Sequence, residues 1–167
     1  MLVKVSDKDL AAAAKQSIDE FLSLIVSSIK EAVGGELNEK SFSQLNASQI
    51  TLLGYDILHE ELMDGGFVQL IYNGYGPFVF DNPFARALRN WGLRDLYKLL
   101  EKAKKQYIKH KADICRDMSD EEFMALFEQM PEFDELDDEF VENEEDFTAA
   151  VAHYVDENLD KFVEVTD

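Results

Sequence analysis

The chain has 167 residues, which favours a single domain, and 46% of them are hydrophobic, including 12 Phe, 6 Tyr and 1 Trp. This apolar content supports a folded core and excludes a wholly disordered protein. The net charge of −19 is concentrated in the last third. Residues 1–116 contain 15 acidic and 15 basic side chains, whereas residues 117–167 contain 20 acidic side chains and one basic side chain, Lys161. Solubility alone does not require such segregation.

The single cysteine, Cys115, excludes an intrachain disulfide and indicates a reducing compartment, and we expect its thiol to be buried. The first ten residues lack the charged and apolar regions of a signal peptide. The longest strongly apolar run, residues 21–26, is too short to cross a bilayer. These features predict a cytoplasmic protein that does not contact membranes.

In the first 45 residues, Ser6 and Asp9 fit a capping box that begins a helix. Apolar residues then recur at three- and four-residue steps from Leu10 to Ile29, which predicts one long helix. Gly34 and Gly35 are expected to end it, because glycine adopts the left-handed conformation that closes helices. We predict an irregular connection over residues 36–45.

The middle of the chain predicts two further helices joined by short connections. One begins at Asn46 or Ser48 and ends at Gly65, and residues 67–72 add a turn or two of helix. Residues 73–77 have the composition of a loop, and residues 78–80 read as a short extended piece. The next helix has Asn82 as its cap, Pro83 at its first position, and Trp91 at its end.

A long helix is predicted over residues 93–114, with a row of cations on one side. The row steps by three or four residues and comprises Arg94, Lys98, Lys102, Lys105 and Lys109. It could pair with acidic side chains within the chain or across a dimer, or it could contact nucleic acid. The overall negative charge argues against direct nucleic-acid binding.

The acidic region begins with a second capping box, from Ser119 to Glu122, which predicts a helix ending before Pro131. Residues 132–147 read EFDELDDEFVENEEDF, in which ten of sixteen side chains are acidic and none is basic. Aromatic and aliphatic residues recur on one helical face of this region, and a disordered acidic tail lacks such a pattern. The apolar residues are Phe133, Leu136, Phe140, Phe147, Val151, Tyr154 and Phe162. We therefore expect a helix that packs on the core.

The charge density of this helix suggests a surface that imitates DNA. Sixteen helical residues span about 24 Å, so ten charges give one per roughly 2.4 Å, against about 1.7 Å of axis for duplex DNA. Such a surface could bind the basic groove of a DNA-binding protein, with carboxylates in the positions of phosphates. The alternative is an acidic face that only solvates the protein. The candidate partner-binding residues are Asp117, Asp120, Glu121, Glu122, Glu128, Glu132, Asp134, Glu135, Asp137, Asp138, Glu139, Glu142, Glu144, Glu145 and Asp146.

We find no sequence motif for catalysis, a cofactor or a metal. The histidines His59, His110 and His153 lie far apart, outside any zinc-binding spacing. The acidic run lacks the central glycine of a calcium loop. No phosphate-binding loop or nucleophile elbow is present. We expect neither enzymatic activity nor a bound cofactor.

The stretch from residue 60 to residue 76 contains the most distinctive motif. Its pattern, E-L-x-x-G-G-F-x-Q-x-x-x-N-x-x-G, is carried by Glu61, Leu62, Gly65, Gly66, Phe67, Gln69, Asn73 and Gly76. Structurally it reads as a tight corner in which glycines permit close backbone approach and Phe67 fills the core. Gln69 and Asn73 could satisfy backbone groups of the loop. The alternative is a small polar pocket that binds a small molecule.

This motif, followed by a helix rich in Ala and Leu, resembles the bacterial DNA mimic protein family. The family often has Asn before the paired glycines, where this chain has Asp64. The resemblance covers about residues 45–162. Its C-terminal part is carried by Phe133, Leu136, Asp137, Phe140, Tyr154, Glu157, Asn158 and Phe162. The motif itself looks like a scaffold feature and not the mimic surface.

The resemblance implies an all-helical, often dimeric protein whose acidic surface imitates duplex DNA and engages a DNA-binding protein such as a transcription regulator. Together with the residue patterns, we predict an all-α fold with at most a minor extended segment. We predict one domain over residues 1–167, with a charge-neutral scaffold at 1–116 and an acidic helical region at 117–167.

Overall fold

The computed structural model describes residues 3–167 and confirms the all-α class. A short parallel pair of strands, β1 (Lys4–Ser6) and β2 (Glu164–Thr166), aligns Val5 with Val165. Short 3-10 turns occupy Pro131–Phe133 and Leu159–Lys161. The helices are α1 (Asp7–Gln16), α2 (Ile18–Ala32), α3 (Glu39–Phe42), α4 (Ala47–Asp64), α5 (Gly66–Tyr72), α6 (Gly76–Phe80), α7 (Phe84–Asn90), α8 (Arg94–Ile114), α9 (Asp120–Gln129) and α10 (Asp134–Glu157).

The chain forms two compact units. The terminal unit combines the chain up to Asp56 with Asp146–Asp167, and the central unit is Ile57–Glu145. Helices α4 and α10 each contribute residues to both units. The bounds of the two compact units therefore do not coincide with the charge boundary near residue 116.

The terminal unit joins the two ends of the chain. Besides the β1–β2 pair, the side-chain amide of Gln49 donates to the carbonyl of Phe162 at 2.9 Å. The hydroxyls of Tyr55 and Thr148 lie 2.8 Å apart in the interior. Of the apolar positions predicted for this region, Ile25 and Ile29 are fully buried, whereas Ile18, at the start of α2, is 48% exposed. Long-range polar contacts thus supplement a well-buried apolar core.

The central unit is built on α8. The predicted inward side of this helix is confirmed, since Leu96, Leu99 and Ala103 are fully buried. Phe67 and Phe133 pack near each other, with ring centroids 6.4 Å apart, and both are buried. The central unit contains the family-like motif, the helix α9 and the acidic first half of α10.

Two predictions about the first 45 residues were wrong, and side-chain caps explain both. The expected long helix is divided at Ser17, which is extended and whose hydroxyl accepts from the Glu20 N–H at 3.0 Å. The expected irregular connection contains α3, which begins where the side chain of Asn38 accepts from the Ser41 N–H at 3.0 Å. Caps satisfy the free N–H groups of a helix start, so they fix its position despite a continuous apolar face.

Two further expectations fail in the central unit. Residues 78–80 are helical and not extended, because Pro77 at the start of α6 supplies a helical backbone angle. The thiol of Cys115 is exposed and not buried, since the residue follows the last turn of α8. Within residues 3–167 no helix is long and apolar enough to cross a membrane.

A carboxylate surface on the central unit

The first acidic helix, α9, is held at its start by the predicted capping box. The Ser119 hydroxyl accepts from the Glu122 N–H at 3.2 Å and lies 3.2 Å from the Glu122 carboxylate. Hydrogen bonds from Ser119, with Arg116 at 3.3 Å, lower the pKa of Glu122. The carboxylates of the first turn also favour the helix N-terminus electrostatically. This cluster of charges therefore contributes to folding as well as to the surface.

The second acidic helix, α10, buries its apolar face as predicted. In its first half Leu136 and Phe140 are buried, as is Phe133 in the preceding 3-10 turn. Most of the predicted partner-binding carboxylates are exposed on the other sides of this segment and of α9. The exposed residues are Asp117, Asp120, Glu121, Glu122, Glu128, Glu132, Asp134, Glu135, Asp138, Glu142, Glu145 and Asp146.

Three of the predicted carboxylates, Asp137, Glu139 and Glu144, are half-buried. Asp137 lies against the paired glycines of the motif. Its Oδ1 atom accepts from the backbone N–H of Phe67 at 2.8 Å. Burial raises the pKa of Asp137 to about 6, and the carboxylates of Asp134 and Asp138 add to the rise, while the Phe67 hydrogen bond opposes it. Asp137 is therefore engaged within the central unit, and we do not count it among the outward-facing carboxylates.

Glu144 also has a partner inside the central unit. Its Oε1 atom lies 2.6 Å from Nε2 of His59 on α4, and only 17% of the Glu144 side chain is exposed. Glu144 follows Asp137 by seven residues, which is about two helical turns. The two carboxylates therefore lie on the same side of α10 and attach it to two different elements.

The basic row of α8 is exposed and only weakly connected to the acidic residues. Lys102 forms an ion pair with Glu139 at 3.4 Å. Among the described residues, Arg94, Lys98, Lys105 and Lys109 have no carboxylate within ion-pair distance. Neutralisation of the acidic helix by this row inside the chain is therefore limited to one exposed pair, which contributes little.

The carboxylates that remain outward-facing have a spacing close to that of one DNA strand. Removing Asp137 and Glu144 from the ten acidic residues of the segment 132–147 leaves eight. Over a length of about 24 Å, eight charges give about one per 3 Å, against about 3.4 Å of axis per phosphate in a single strand of B-DNA. We call these eight residues the outward row: Glu132, Asp134, Glu135, Asp138, Glu139, Glu142, Glu145 and Asp146.

The polar residues of the motif bond to one another, as expected of a structural element. The side-chain amide of Gln69 donates to Glu61 at 2.8 Å and to Asp64 at 3.0 Å. The amide of Asn73 donates to both oxygens of Glu61, at 3.2 and 3.0 Å. The expectation that these amides satisfy loop backbone groups was wrong, because the Glu61 carboxylate attracts them more strongly. The network ties the end of α4 to α5.

The motif glycines permit close packing. Gly66 has a φ of 77°, and a Cβ atom there would overlap the carboxylate of Asp137. At Gly65 an added Cβ would overlap the side chain of Gln69, and at Gly76 it would overlap the ring of Tyr107. The three glycines therefore leave room for three specific side chains of the central unit, which explains why Gly occurs at these positions.

The inward position of Asp137 and Glu144 had a signal in the sequence. Phe133, Asp137, Phe140, Glu144 and Phe147 follow one another at alternating four- and three-residue steps. This spacing is typical of positions on one buried helix face. The acidic side chains were assigned to the surface from their charge, and the spacing would have assigned them to the core side.

The alternative small-molecule site at the corner has an amide donor that is already engaged. An open depression there is lined by His59, Glu60, Glu61, Met63, Asp64 and Gln69. Both hydrogens of the Gln69 amide are bound to carboxylates of the motif itself. Residues 3–167 contain no cluster of three or more His, Cys, Asp or Glu side chains arranged to hold a metal ion.

Comparison with known proteins identifies the family. The model of the family described as "DMP19-like protein" matches residues 43–158. A relative from Neisseria meningitidis serogroup B (strain ATCC BAA-335 / MC58), called "DNA mimic protein DMP19", is 34% identical over 132 residues, which cover 78% of this chain and 79% of the relative. The predicted resemblance is thereby confirmed, and the chain belongs to the DMP19-like protein family.

Proposed function

We propose that this protein is a DNA mimic that binds a DNA-binding protein, such as a transcription regulator, through the outward row. The observation that carries the proposal is the spacing of these carboxylates at about one per 3 Å, in a segment without a single Lys or Arg. The name of the relative, a DNA mimic protein, supports the same function.

Recognition would work through charge more than through any one contact. Each carboxylate of the outward row stands in for a phosphate and pairs with a Lys or Arg in the partner's DNA-binding groove. Such complementary surfaces accelerate encounter and weaken as salt screens them. Because the charges act together, no single carboxylate should dominate the affinity.

Two other groups of acidic residues could extend the surface. The exposed carboxylates of α9 could supply a second row of charges, which would bring the density closer to that of a duplex. The acidic residues between Asp156 and Glu164 could add to the same field. We expect their contributions to be smaller than that of the outward row, because they are fewer and less closely spaced.

A general interaction protein whose acidity only solvates it is the second candidate. Surface built only for solubility normally mixes Lys with Glu, since opposite charges four residues apart stabilise a helix and like charges destabilise it. The outward row has no such mixing, which favours the mimic. The occupied amides of the motif corner argue against a small-molecule binder, and we propose no catalytic activity.

The proposal also covers the partner's charge, the location of the protein and its oligomeric state. We expect this protein to bind a basic partner in the cytoplasm. We expect it to make no direct contact with nucleic acid or membranes. A homodimer stays a prediction, and sedimentation equilibrium would test it. The exposed cations Arg94, Lys98, Lys105 and Lys109 are the groups through which a second copy could be recruited electrostatically.

A pull-down from the source cell's lysate tests the proposal. The immobilised protein is washed at low and high salt and then eluted with duplex DNA. We expect a DNA-binding protein to be released by DNA. The matched column carries the outward variant, which neutralises four exposed carboxylates without partners in the central or terminal unit: D138N/E142Q/E145Q/D146N.

A charge-matched control separates position from net charge. The control variant removes four exposed carboxylates elsewhere and is E31Q/E36Q/E101Q/D113N. We expect the control variant to retain the partner and the outward variant to lose it. Equal retention by both variants, or release that depends on neither salt nor DNA, would contradict the proposal.

A further inference from the structure

The first half of α10 contains few apolar residues. Between residues 134 and 146 its apolar residues are Leu136, Phe140 and Val141, and carboxylates occupy most other positions. Val141 is next to Phe140 and is 49% exposed. A rotation of about 100° around the helix axis, one residue's step, would move Val141 into the position of Phe140 and Phe140 into that of Glu139. Within this half of the helix, Leu136 and Phe140 are the buried apolar residues that oppose such a rotation.

Asp137 adds a polar contact to this apolar face. Its carboxylate fits a seat formed by Gly66, which has no side chain to obstruct it, and by the Phe67 N–H, which donates to it at 2.8 Å. Phe67 is fully buried, so its N–H would lose its hydrogen-bond partner if α10 turned and carried Asp137 away, which disfavours alternative packings. Gly66 and Phe67 of the family motif thus contact a residue about 70 positions later.

We propose that Asp137 is a positioning residue: seated on Gly66 and Phe67, it fixes the rotation of α10 and thereby decides which carboxylates the outward row presents. This inference rests on the proposed function. It gives the motif a role in partner recognition, although no motif residue belongs to the outward row. Asp137 itself contributes through its seat and not as a phosphate surrogate.

Two substitutions at Asp137 separate its seat from its charge. D137N removes the charge but keeps the shape and an oxygen that can accept from Phe67. D137E keeps the charge but adds a methylene group, for which the close approach to Gly66 leaves no room. Asp113 is exposed and lies outside the outward row, so D113N and D113E are the matched controls.

The first readout needs no partner. Hydrogen exchange at the Phe67 amide reports directly on the seat, because its N–H bonds to Asp137. We expect protection in the wild type, D137N and both Asp113 variants, and exchange about tenfold faster or more in D137E. Unchanged exchange in D137E would contradict the proposed role of the Asp137 contact with the Phe67 N–H.

The second readout is affinity for the purified DNA-binding protein that duplex DNA elutes in the pull-down. We expect D137E to weaken binding by about tenfold, despite its unchanged charge, while D137N and D113E stay close to the wild type. If D137N instead weakens binding and D137E does not, Asp137 acts as a phosphate surrogate and the positioning role is wrong.

The outward variant distinguishes failure of this inference from failure of the proposed function. If D137E opens the seat but binds normally, while the outward variant does not bind, the positioning role is overturned and the mimic function stands. If the outward variant binds like the wild type, the mimic function is overturned, and with it the positioning role.

Discussion

Helix α8 and the first half of α10 belong to the central unit, and both helices carry a row of one charge sign on an exposed side. In α8 the cations follow the solvent face, while its inward positions, such as Leu99 and Ala103, are apolar. In α10 the acidic residues also occupy two inward positions, Asp137 and Glu144, and each has a specific partner. Charge in α10 therefore has two separate tasks, internal attachment and surface potential.

This difference predicts that inward carboxylates depend on their contacts and outward carboxylates do not. An inward carboxylate has a specific partner, so a substitution that breaks or weakens that contact should reduce stability. An outward carboxylate is surrounded by like charges, so removing it should relieve repulsion. Outward charges that lower stability are more readily explained by binding than by folding. The following variants test the contrast in order of decreasing expected effect on stability.

The largest effect is expected for G66A. Alanine at a φ of 77° is strained, and its Cβ would overlap Asp137. We expect a loss of about 2 kcal/mol or more in the free energy of unfolding, measured by urea denaturation. G74A is the matched control, since Gly74 has a φ of 91° but open space around it. Equal losses in both variants would show that the seat of Asp137 adds nothing to backbone strain.

The next effect concerns Asp137 and pH. Its folded pKa of about 6 lies above the usual value of 3.8, so the folded state binds a proton more tightly than the unfolded state. This group's contribution is therefore favourable at low pH and is lost as pH rises from about 4 through 6. We expect D137N to match the wild type near pH 4 and to exceed it by about 1–2 kcal/mol at pH 8, a range reduced for solvent screening.

Urea denaturation at both pH values measures this difference, and D113N is the control because Asp113 is exposed. A D137N variant that is less stable than the wild type at pH 8 would contradict the expected sign. It would show that the charged carboxylate, and not its shape, holds the Phe67 N–H.

A smaller effect is expected for E144Q. Glutamine weakens the contact with His59 by removing the charge, and only 17% of the Glu144 side chain is exposed. We expect a loss of about 1 kcal/mol, measured by thermal or urea denaturation at neutral pH. The adjacent Glu145 is exposed, so E145Q should have no cost. Equal losses for the two substitutions would remove the distinction between inward and outward carboxylates.

The smallest effect is expected for the outward variant, D138N/E142Q/E145Q/D146N. Its stability should rise by about 0.5–1 kcal/mol at low ionic strength, because four repelling charges are removed from one helix. The gain should shrink in high salt. A clear loss of stability, measured by urea denaturation, would show that these carboxylates make structural contacts and would weaken the case that they serve binding.

Periodicity in the sequence predicted most of the fold, and specific side-chain contacts account for the rest. The apolar faces of α8 and α10 were identified because burial repeats along a helix. The division at Ser17 was missed, although Ser17 and Glu20 have the spacing of a capping box. The β1–β2 pair joins residues about 160 positions apart and has three residues per strand, too few to show a pattern.

The carboxylate surface was also predictable in its location but not in its individual contacts. Charge counting located the acidic helices, but it treated all carboxylates as equal. It could not find the partner of Asp137, since the Phe67 N–H lies 70 residues earlier and a backbone group leaves no trace in the sequence. The four- and three-residue spacing of Phe133, Asp137 and Phe140 was the available sign that Asp137 faces inward.

The most direct test is a displacement assay with the purified partner and a fluorescent duplex. If the outward row occupies the partner's DNA-binding groove, the wild-type protein and the control variant will displace the duplex. The outward variant will then need about tenfold higher concentration or more. Equal displacement by the outward variant, or a ternary complex of protein, partner and duplex, would contradict DNA mimicry by these carboxylates.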